Sequence, residues 1–207
     1  RGLSPHRQSR PAAVNLRGRK PRSEKLMFVI DSRTALRVLR EDDAAELFAL
    51  TDANRVHLRR WLPWVDLVSS EDDSRSFLET MSAQREDGRG PTFGVVCDGA
   101  LAGVVGFLPI DRVNRCGEIG YWLAEREQGR GLMTQSCRFV VRYGFLTLDL
   151  HRVQIAAGTE NTASRAIAER LGFRLEGILR GRENLYGTFI DHAMYSLLRS
   201  EFDEGFA

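Results

Sequence analysis

The sequence predicts one α+β domain of three layers, in which a mixed and mostly antiparallel sheet lies between helices. Three observations predict this class. Apolar residues recur at helical spacing in the first half of the chain, alternating strands joined by short turns follow, and one strand-turn-helix-strand unit comes after them. With 207 residues, of which 43% are hydrophobic and 28% charged, the chain can bury one good core. We place the domain at residues 27 to 207.

The first 26 residues differ in composition from the rest of the chain. They hold eight Arg or Lys and one acid, a charge of +7, so the remainder of this +2 chain carries −5. Because the segment is rich in Pro and Ser and poor in apolar residues, we expect it to stay disordered. A solvated tail is the expected role, with a weak electrostatic contact to RNA as the alternative. The Arg-rich composition leaves a transit peptide open, whereas the apolar centre of a secretory signal is missing.

The domain is expected to begin with a strand and three helical segments. Residues 36 to 40 alternate as in a strand, and Asp42 or Asp43 begins the first helix. A second helical piece ends at the Trp-Leu-Pro-Trp run of residues 61 to 64. Residues 69 to 73, Ser-Ser-Glu-Asp-Asp, are typical of a helix N-terminus, and the third helix is expected to follow.

The pattern changes to strands at residue 92. Residues 92 to 97 and 101 to 108 flank an Asp-Gly pair and predict a hairpin. Residues 115 to 123 predict the next antiparallel strand, and residues 132 to 145 predict a long helix. The remaining predicted elements are a strand at 153 to 157, a short helix from 161, and closing strands at 175 to 179 and 188 to 197. The strands before and after the long helix are expected to run parallel, with the helix as their crossover.

The turn between the strand and the long helix, Glu-Arg-Glu-Gln-Gly-Arg-Gly-Leu-Met-Thr at residues 125 to 134, suits an anion. Gly129 and Gly131 allow a close approach to the backbone, and a helix N-terminus offers unpaired N–H groups. Arg126 and Arg130 are expected to add charge at the rim. A P-loop motif is absent, and Thr134 stands where a dinucleotide fingerprint needs a third glycine. An ordinary strand-to-helix turn is the alternative.

A second segment narrows these alternatives. Residues 161 to 173 predict a short helix, with Asn161 or Thr162 near its N-cap and Gly172 at its end. Taken alone, it is an ordinary amphipathic helix. Taken with the glycine turn, whose spacing is Arg-x-x-Gly-x-Gly from residue 126, its Asn-x-x-Ser and Leu-Gly-Phe blocks resemble the Gcn5-related N-acetyltransferase (GNAT) superfamily.

The resemblance extends to the RimJ/RimL-type branch, which acetylates the N-termini of proteins, above all ribosomal proteins. It covers roughly residues 36 to 199. The matching segments are residues 61 to 64, 117 to 123, 128 to 134, 161 to 173, 176 to 177 and 186 to 195.

The resemblance implies a GNAT fold whose two central parallel strands splay apart, so that the pantetheine arm of acetyl-CoA enters the gap. Its pyrophosphate is expected to meet the amides of residues 128 to 133. A backbone N–H of Trp122 or Leu123 is expected to polarise the thioester carbonyl. The implied cofactor-binding residues are Tyr121, Trp122, Leu123, Gln128, Gly129, Arg130, Gly131, Leu132, Met133, Asn161, Ser164 and Arg165. Helix capping is the competing role for Asn161.

Acetyl transfer needs a neutral amine and a proton for the departing thiolate. An α-amino group, with a pKa of about 7.7 to 8.0, loses its proton easily near neutrality. By resemblance Glu183, expected in the loop between the last two strands, is the base, and Glu118 is the alternative. The same resemblance implies that Ser164 is the acid. Many family members place a tyrosine where this chain has Ala168, and the expectation that Ser164 carries the only nearby hydroxyl on that side supports its role.

The acceptor is expected in a groove that Trp61, Trp64 and Tyr186 line. The first expectation is transfer to a protein N-terminus within a ternary complex. The alternatives are a small amine, such as a polyamine, amino sugar or antibiotic, and a non-catalytic regulator that binds acyl-CoA. Three cysteines without a C-x-x-C motif and four scattered histidines predict no metal, and they favour a reducing cytoplasm. No membrane segment is expected, and a homodimer is left open.

Overall fold

The structure, a computed structural model, describes residues 27 to 202. The basic segment of residues 1 to 26, and the expectations made for it, lie outside the described residues. The strands are β1 (Met27–Val29), β2 (Thr34–Val38), β3 (Thr92–Cys97), β4 (Ala100–Phe107), β5 (Cys116–Leu123), β6 (Arg152–Gly158), β7 (Arg174–Leu185) and β8 (Thr188–Leu198). The helices are α1 (Ala44–Ala53), α2 (Arg55–Leu58), α3 (Glu71–Glu86), α4 (Leu132–Leu146) and α5 (Thr162–Arg170).

The eight strands form one sheet in the order β1-β2-β3-β4-β5-β6-β8-β7. Strands β5 and β6 are parallel, with α4 as their crossover, and the other neighbours are antiparallel. This topology confirms the predicted α+β class with a mixed, mostly antiparallel sheet. Strand β1, which pairs with β2, was not predicted, because three residues are too few for a period to show.

Among the helices, α4 contributes most of the buried residues of the main core. Its apolar positions recur at helical spacing, so Val140, Val141 and Phe145 are fully buried on one side of the helix. Gly144 lies so close to β4 that a side chain there would meet the Phe107 ring at 2.9 Å. Shortening Phe145 to Ala is expected to cost about 3 to 5 kcal/mol through lost burial and a cavity.

The opposite face of the sheet is covered by α1 and α3. A second, smaller core joins Leu47 of α1 and Leu78 of α3 to Leu101 and Val104 of β4. Helix α3 begins at the predicted place, where Ser70 accepts a hydrogen bond from the Asp73 N–H in a capping box. The sheet therefore lies between two helical layers, as predicted.

The last hairpin differs from the prediction. Strand β7 runs to Leu185, so Glu183 lies in a strand opposite Ile190 and not in a loop. The pairing shifts between Leu179 and Glu183, and Gly181, with φ of 56°, donates its N–H to Asp191 Oδ1 at 2.7 Å inside this bulge. A bulge interrupts the alternation that predicts a strand, which is why the sequence indicated a loop.

Cys97 and Cys137 are buried, Cys116 is partly buried, and all three are free thiols. Within residues 27 to 202, no helix has the length and apolar character to cross a bilayer.

Candidate active site

The site is built around a gap between β5 and β6. These parallel strands pair at only three positions, the last of which joins Glu118 to Gln154. Beyond that pair, β5 continues to Leu123 and β6 to Gly158 without pairing to each other. The two strands therefore splay, as predicted, and leave backbone groups of both strands directed into the gap.

The strand register decides which backbone N–H of β5 points into the gap. The Ala124 N–H donates to the Ala102 carbonyl of β4 at 2.8 Å. Because neighbouring residues of an antiparallel strand direct their N–H groups to opposite sides, Trp122 also points toward β4, and Leu123 points toward β6. Of the two predicted donors for a thioester carbonyl, the register therefore favours Leu123.

The glycine turn at one end of the gap has the geometry of an anion cradle. Gly129 and Gly131 have φ of 74° and 77°, and no atom lies within 4 Å of the position of a Cβ at either residue. Gly131 is the N-cap of α4. Among the described residues, the N–H groups of Gly129, Arg130 and Gly131 have no hydrogen-bond acceptor. These donors and the helix N-terminus fit a pyrophosphate.

The arginines predicted at the rim are held by acidic neighbours. Arg130 forms an ion pair with Glu127, and its Nη2 lies 4.0 Å from Asp98 Oδ2. Arg126 Nε lies 3.3 Å from Glu127 Oε1. These carboxylates offset the charges of both arginines, so the backbone N–H groups are the donors of the turn that fit an anion best.

The cradle is tied to the α1–α2 segment by contacts that the sequence did not indicate. Asn54 Oδ1 accepts the Glu125 N–H at 3.0 Å, and the Gln128 amide nitrogen lies 2.8 Å from His57 Nε2. Burial lowers the pKa of His57, so the ring is neutral near pH 7, and Nε2 accepts from the Gln128 NH₂ group. These partners are about 70 residues apart in sequence, so no local motif announces them.

The predicted acid, Ser164, lies on the first turn of α5 and faces β5. Asn161 Oδ1 accepts the Ser164 N–H at 3.1 Å, which is the capping role given above as the competing alternative. The Tyr121 hydroxyl lies 2.9 Å from Ser164 Oγ. The expectation that Ser164 has the only nearby hydroxyl is therefore wrong, because Tyr121 reaches it from another element.

Three other residues predicted to bind the cofactor, Leu132, Met133 and Arg165, differ in burial and in hydrogen bonding. The side chains of Leu132 and Met133 are buried, so these residues offer only their amides. Arg165 donates to the Tyr195 hydroxyl at 3.0 Å and to the Thr159 carbonyl at 2.9 Å. Contacts of these residues with a cofactor stay predictions.

The two candidate bases have different partners. Gln154 Nε2 donates to Glu118 Oε2 at 3.0 Å, within the last β5–β6 pair. Glu183 Oε2 lies 3.3 Å from His192 Nε2, on strands β7 and β8. That nitrogen is buried, and among the described residues it has no hydrogen bond of good alignment. A hydrogen bond thus holds Glu118, whereas Glu183 only lies close to the His192 ring.

The candidate bases and the candidate acid lie on opposite faces of the sheet. Side chains alternate between faces along a strand, so Glu118 shares a face with Trp122, and Tyr121 points to the other. The Trp64 ring contacts the Trp122 ring in a tilted arrangement, with centroids 6.2 Å apart, and we call this side of the sheet the tryptophan face. His192 pairs with Gly158 of β6, and its side chain lies on the tryptophan face. Glu183 contacts His192 and therefore lies on the same face.

A groove of about 380 Å³ opens on the tryptophan face. Its lining residues are Trp61, Gly158, Thr159, Glu160, Leu185, Phe189, Ile190 and Asp191. The β7–β8 turn packs on residues 59 to 62. The Tyr186 hydroxyl donates to the Leu62 carbonyl at 2.8 Å, and the Arg59 guanidinium lies 3.8 Å from the Tyr186 ring centroid. Of the three residues predicted to line the groove, Trp61 does so, whereas Trp64 packs on Trp122 of β5 and Tyr186 contacts Leu62 and Arg59.

In the part of the chain that the structure describes, no three acidic, histidine or cysteine side chains are placed to hold a metal ion together.

The fold and the site define an acyltransferase of the GNAT type. Residues 33 to 174 match the family model described as "Acetyltransferase (GNAT) domain", and the chain belongs to this family of N-acetyltransferases.

Particular relatives carry more specific names. YdaF of Bacillus subtilis, provisionally named a ribosomal N-acetyltransferase, is 37% identical across 84% of this chain and 96% of its own length. Spermidine N(1)-acetyltransferase of Escherichia coli is 31% identical across 70% of this chain and 74% of its own. Among solved structures, RimL, a ribosomal L7/L12 alpha-N-protein acetyltransferase in complex with coenzyme A, superposes with a TM-score of 0.81 at 29% identity. That comparison covers 86% of this chain and all of RimL.

Proposed function

We propose that this protein transfers the acetyl group of acetyl-CoA to the N-terminal α-amine of a protein substrate, by direct transfer in a ternary complex. The observation that carries the proposal is the unpaired gap between β5 and β6. An anion cradle lies at the end of β5, and groups that can move protons lie on the two faces of the sheet beside the gap.

Acetyl-CoA binding rests mainly on backbone groups. The pantetheine arm enters the gap, where it pairs with strand edges as an added strand does. The pyrophosphate oxygens accept hydrogen bonds from the N–H groups of residues 129 to 131, and the positive end of the α4 dipole attracts their negative charge. The Leu123 N–H donates to the thioester carbonyl oxygen, and this bond strengthens as negative charge develops there.

Removal of the amine proton takes place on the tryptophan face. We assign Glu183 as the base, acting directly or through one water, because it lies near the groove where the acceptor binds. Glu118 is the alternative, at the apex of the gap. An α-amine is a suitable acceptor, because its proton is lost near neutrality and a weakly basic carboxylate suffices.

The leaving thiolate receives its proton on the other face. Ser164 is assigned as the donor, since its hydroxyl is directed to β5 at the gap. Acid and base on opposite faces allow the amine to approach from one side while the sulfur is protonated from the other.

The choice of a protein N-terminus is supported by the relatives and by the groove. YdaF and RimL both carry names that refer to ribosomal acetylation, and the RimL name specifies an α-amine. The groove combines apolar walls, such as Trp61 and Phe189, with the acids Glu160 and Asp191. Apolar walls suit the first side chains of a peptide, and the acids suit its positive amine.

A polyamine is the second candidate acceptor. The similarity to spermidine N(1)-acetyltransferase and the two groove acids favour it, because a polyamine carries several positive charges. The names of YdaF and RimL, which refer to ribosomal acetylation, favour a protein N-terminus over a polyamine.

The test is an acceptor panel analysed by mass spectrometry. The purified protein is incubated with acetyl-CoA and with three acceptors: a peptide with a free N-terminus and an internal lysine, the same peptide with a blocked N-terminus, and spermidine. We expect acetylation of the free N-terminus only. Modification of spermidine alone supports the second candidate, and cofactor binding without any turnover contradicts both.

A further inference from the structure

We propose that Tyr121 is a positioning residue for acetyl transfer, whose hydroxyl directs the Ser164 proton toward the leaving sulfur. This inference rests on the proposed function and assigns a specific task to a second hydroxyl on the α4 side of the gap. The two residues come from separate elements, β5 and α5, that flank the unpaired stretch.

The Ser164 hydroxyl contacts a residue outside its own helix. Helical Ser and Thr hydroxyls commonly donate to the carbonyl one turn earlier, as Thr51 does to Leu47 and Ser136 to Leu132. Ser164 Oγ instead lies 2.9 Å from the Tyr121 hydroxyl. It is therefore held toward the gap rather than toward its own helix.

The direction of the Tyr121 hydroxyl proton decides whether the Ser164 proton can point to the sulfur. The Tyr121 hydroxyl has one proton and lies within reach of both Ser164 Oγ, at 2.9 Å, and the Ser164 carbonyl, at 3.1 Å. If Tyr121 donates to the carbonyl, the 2.9 Å contact is made only when the serine proton points to the Tyr121 oxygen and away from sulfur. If Tyr121 donates to Oγ, the serine proton is free to point into the gap. A developing negative charge on Oγ favours the second arrangement.

Burial keeps Tyr121 in the form that can donate. It raises the pKa of the phenol far above its ordinary value, because a buried phenolate would lose its hydration. Tyr121 therefore keeps its own proton throughout the reaction. It stabilises Ser164 by a hydrogen bond and does not supply the transferred proton.

The step balances without another reactant. The N–C bond forms while the C–S bond breaks, the amine gives one proton to Glu183, and the sulfur takes one from Ser164. Exchange with water then returns both side chains to their starting forms, so the net change moves one proton from nitrogen to sulfur. Tyr121 ends as it began.

The experiment compares kcat and acetyl-CoA affinity in Tyr121→Phe, Ser164→Ala and the double variant, with Tyr143→Phe as a matched control. Tyr143 lies in the aromatic cluster on α4, away from the gap, so its variant should leave both quantities unchanged. We expect Tyr121→Phe to lower kcat roughly tenfold while acetyl-CoA affinity stays within about twofold, because positioning acts in the transition state. The double variant should be no slower than Ser164→Ala, since the tyrosine acts through the serine.

Additive losses in the double variant would overturn the proposal, and so would an unchanged kcat or a loss confined to acetyl-CoA binding. If Tyr121→Phe does not fold, a fluorinated tyrosine at position 121 replaces it in the comparison. This residue keeps the hydroxyl and makes it a stronger donor, so kcat should equal or exceed that of the wild type, and a marked fall contradicts the role. Absence of transfer by the wild-type protein to any amine refutes the proposed function itself, which is a different outcome.

Discussion

Gln154 Nε2 donates a hydrogen bond to Glu118 Oε2 at 3.0 Å, in the last residue pair before β5 and β6 separate. This contact holds Glu118 against the neighbouring strand, at the apex of the gap. Glu183 instead faces His192 near the groove that Trp61 lines. In the proposed mechanism the two carboxylates therefore have different tasks: Glu183 takes the amine proton beside the groove, and Glu118 lies at the strands that flank the pantetheine arm.

The first prediction is that Glu183→Gln lowers kcat with a peptide α-amine roughly a hundredfold, whereas Glu118→Gln has a smaller effect. Both substitutions keep the side-chain shape, so they form a matched pair. The deficit of Glu183→Gln should shrink above pH 8, where the α-amine loses its proton without help. The measurement is a pH profile of kcat for each variant. A larger loss in Glu118→Gln assigns the base to Glu118.

The second prediction concerns closure of the groove. Tyr186→Phe removes the hydrogen bond to the Leu62 carbonyl and should raise the KM for the peptide roughly fivefold, since such a bond contributes about 1 kcal/mol. The KM for acetyl-CoA should stay constant. Steady-state kinetics with each substrate varied in turn measures both quantities, with Tyr143→Phe again as the control. An equal rise for both substrates shows a general loss of structure.

The third prediction is a pH dependence of stability at the outer strands. Arg152 of β6 reaches across β8 to Glu176 of β7, which also accepts from the Ser196 hydroxyl at 2.7 Å. These hydrogen bonds, first that from Arg152, lower the pKa of Glu176 from 4.5 to about 2. A lowered folded-state pKa stabilises the fold above the unfolded value, and this stabilisation is lost as the pH falls from 4.5 toward 2.

Glu176→Gln should therefore be less stable than wild type at pH 7, by less than about 1 kcal/mol because the pair is partly exposed. The difference should disappear near pH 2. Urea denaturation at both pH values measures it. A constant difference would show that Glu176 acts through packing and not through its charge.

The sequence predicts most of the fold because its signals are local. The Ser70 cap, the Asp98-Gly99 turn and the periodicity of α4 each depend on neighbouring residues, and all three occur where expected. The positive φ of Gly129 likewise follows from the residue type at a strand-to-helix turn. Features that depend on neighbouring residues can therefore be predicted from the sequence alone.

The parts that the sequence could not predict depend on contacts between distant residues. The Tyr121–Ser164 pair joins residues 43 positions apart, and the His57–Gln128 link joins residues 71 positions apart. The strand position of Glu183 depends on a bulge that Asp191 holds from the neighbouring strand. Side-chain partners of this kind follow from tertiary packing, which one-dimensional patterns do not encode.

The fourth prediction is that deletion of residues 1 to 26 leaves acetyl-CoA affinity and activity on a short peptide intact. All site residues named above lie between positions 54 and 192, and the deleted segment is poor in apolar residues. If its charge of +7 recruits an RNA-bearing substrate, the deletion should lower activity on that substrate alone, and added salt should remove the difference. The assay compares two substrates at two salt concentrations. Loss of peptide activity at every salt concentration would place the segment in the domain.

The most direct test of the central claim, that the cradle and the gap bind acetyl-CoA, is calorimetric titration of acetyl-CoA into Gly129→Asp and Gly129→Asn. Asn and Asp tolerate a positive φ about equally and have nearly the same size, so the two variants differ mainly in charge. We expect Gly129→Asp to bind at least roughly tenfold more weakly than Gly129→Asn, because its carboxylate lies where the pyrophosphate approaches the N–H groups. Equal affinity in the two folded variants, close to that of the wild type, would contradict the account.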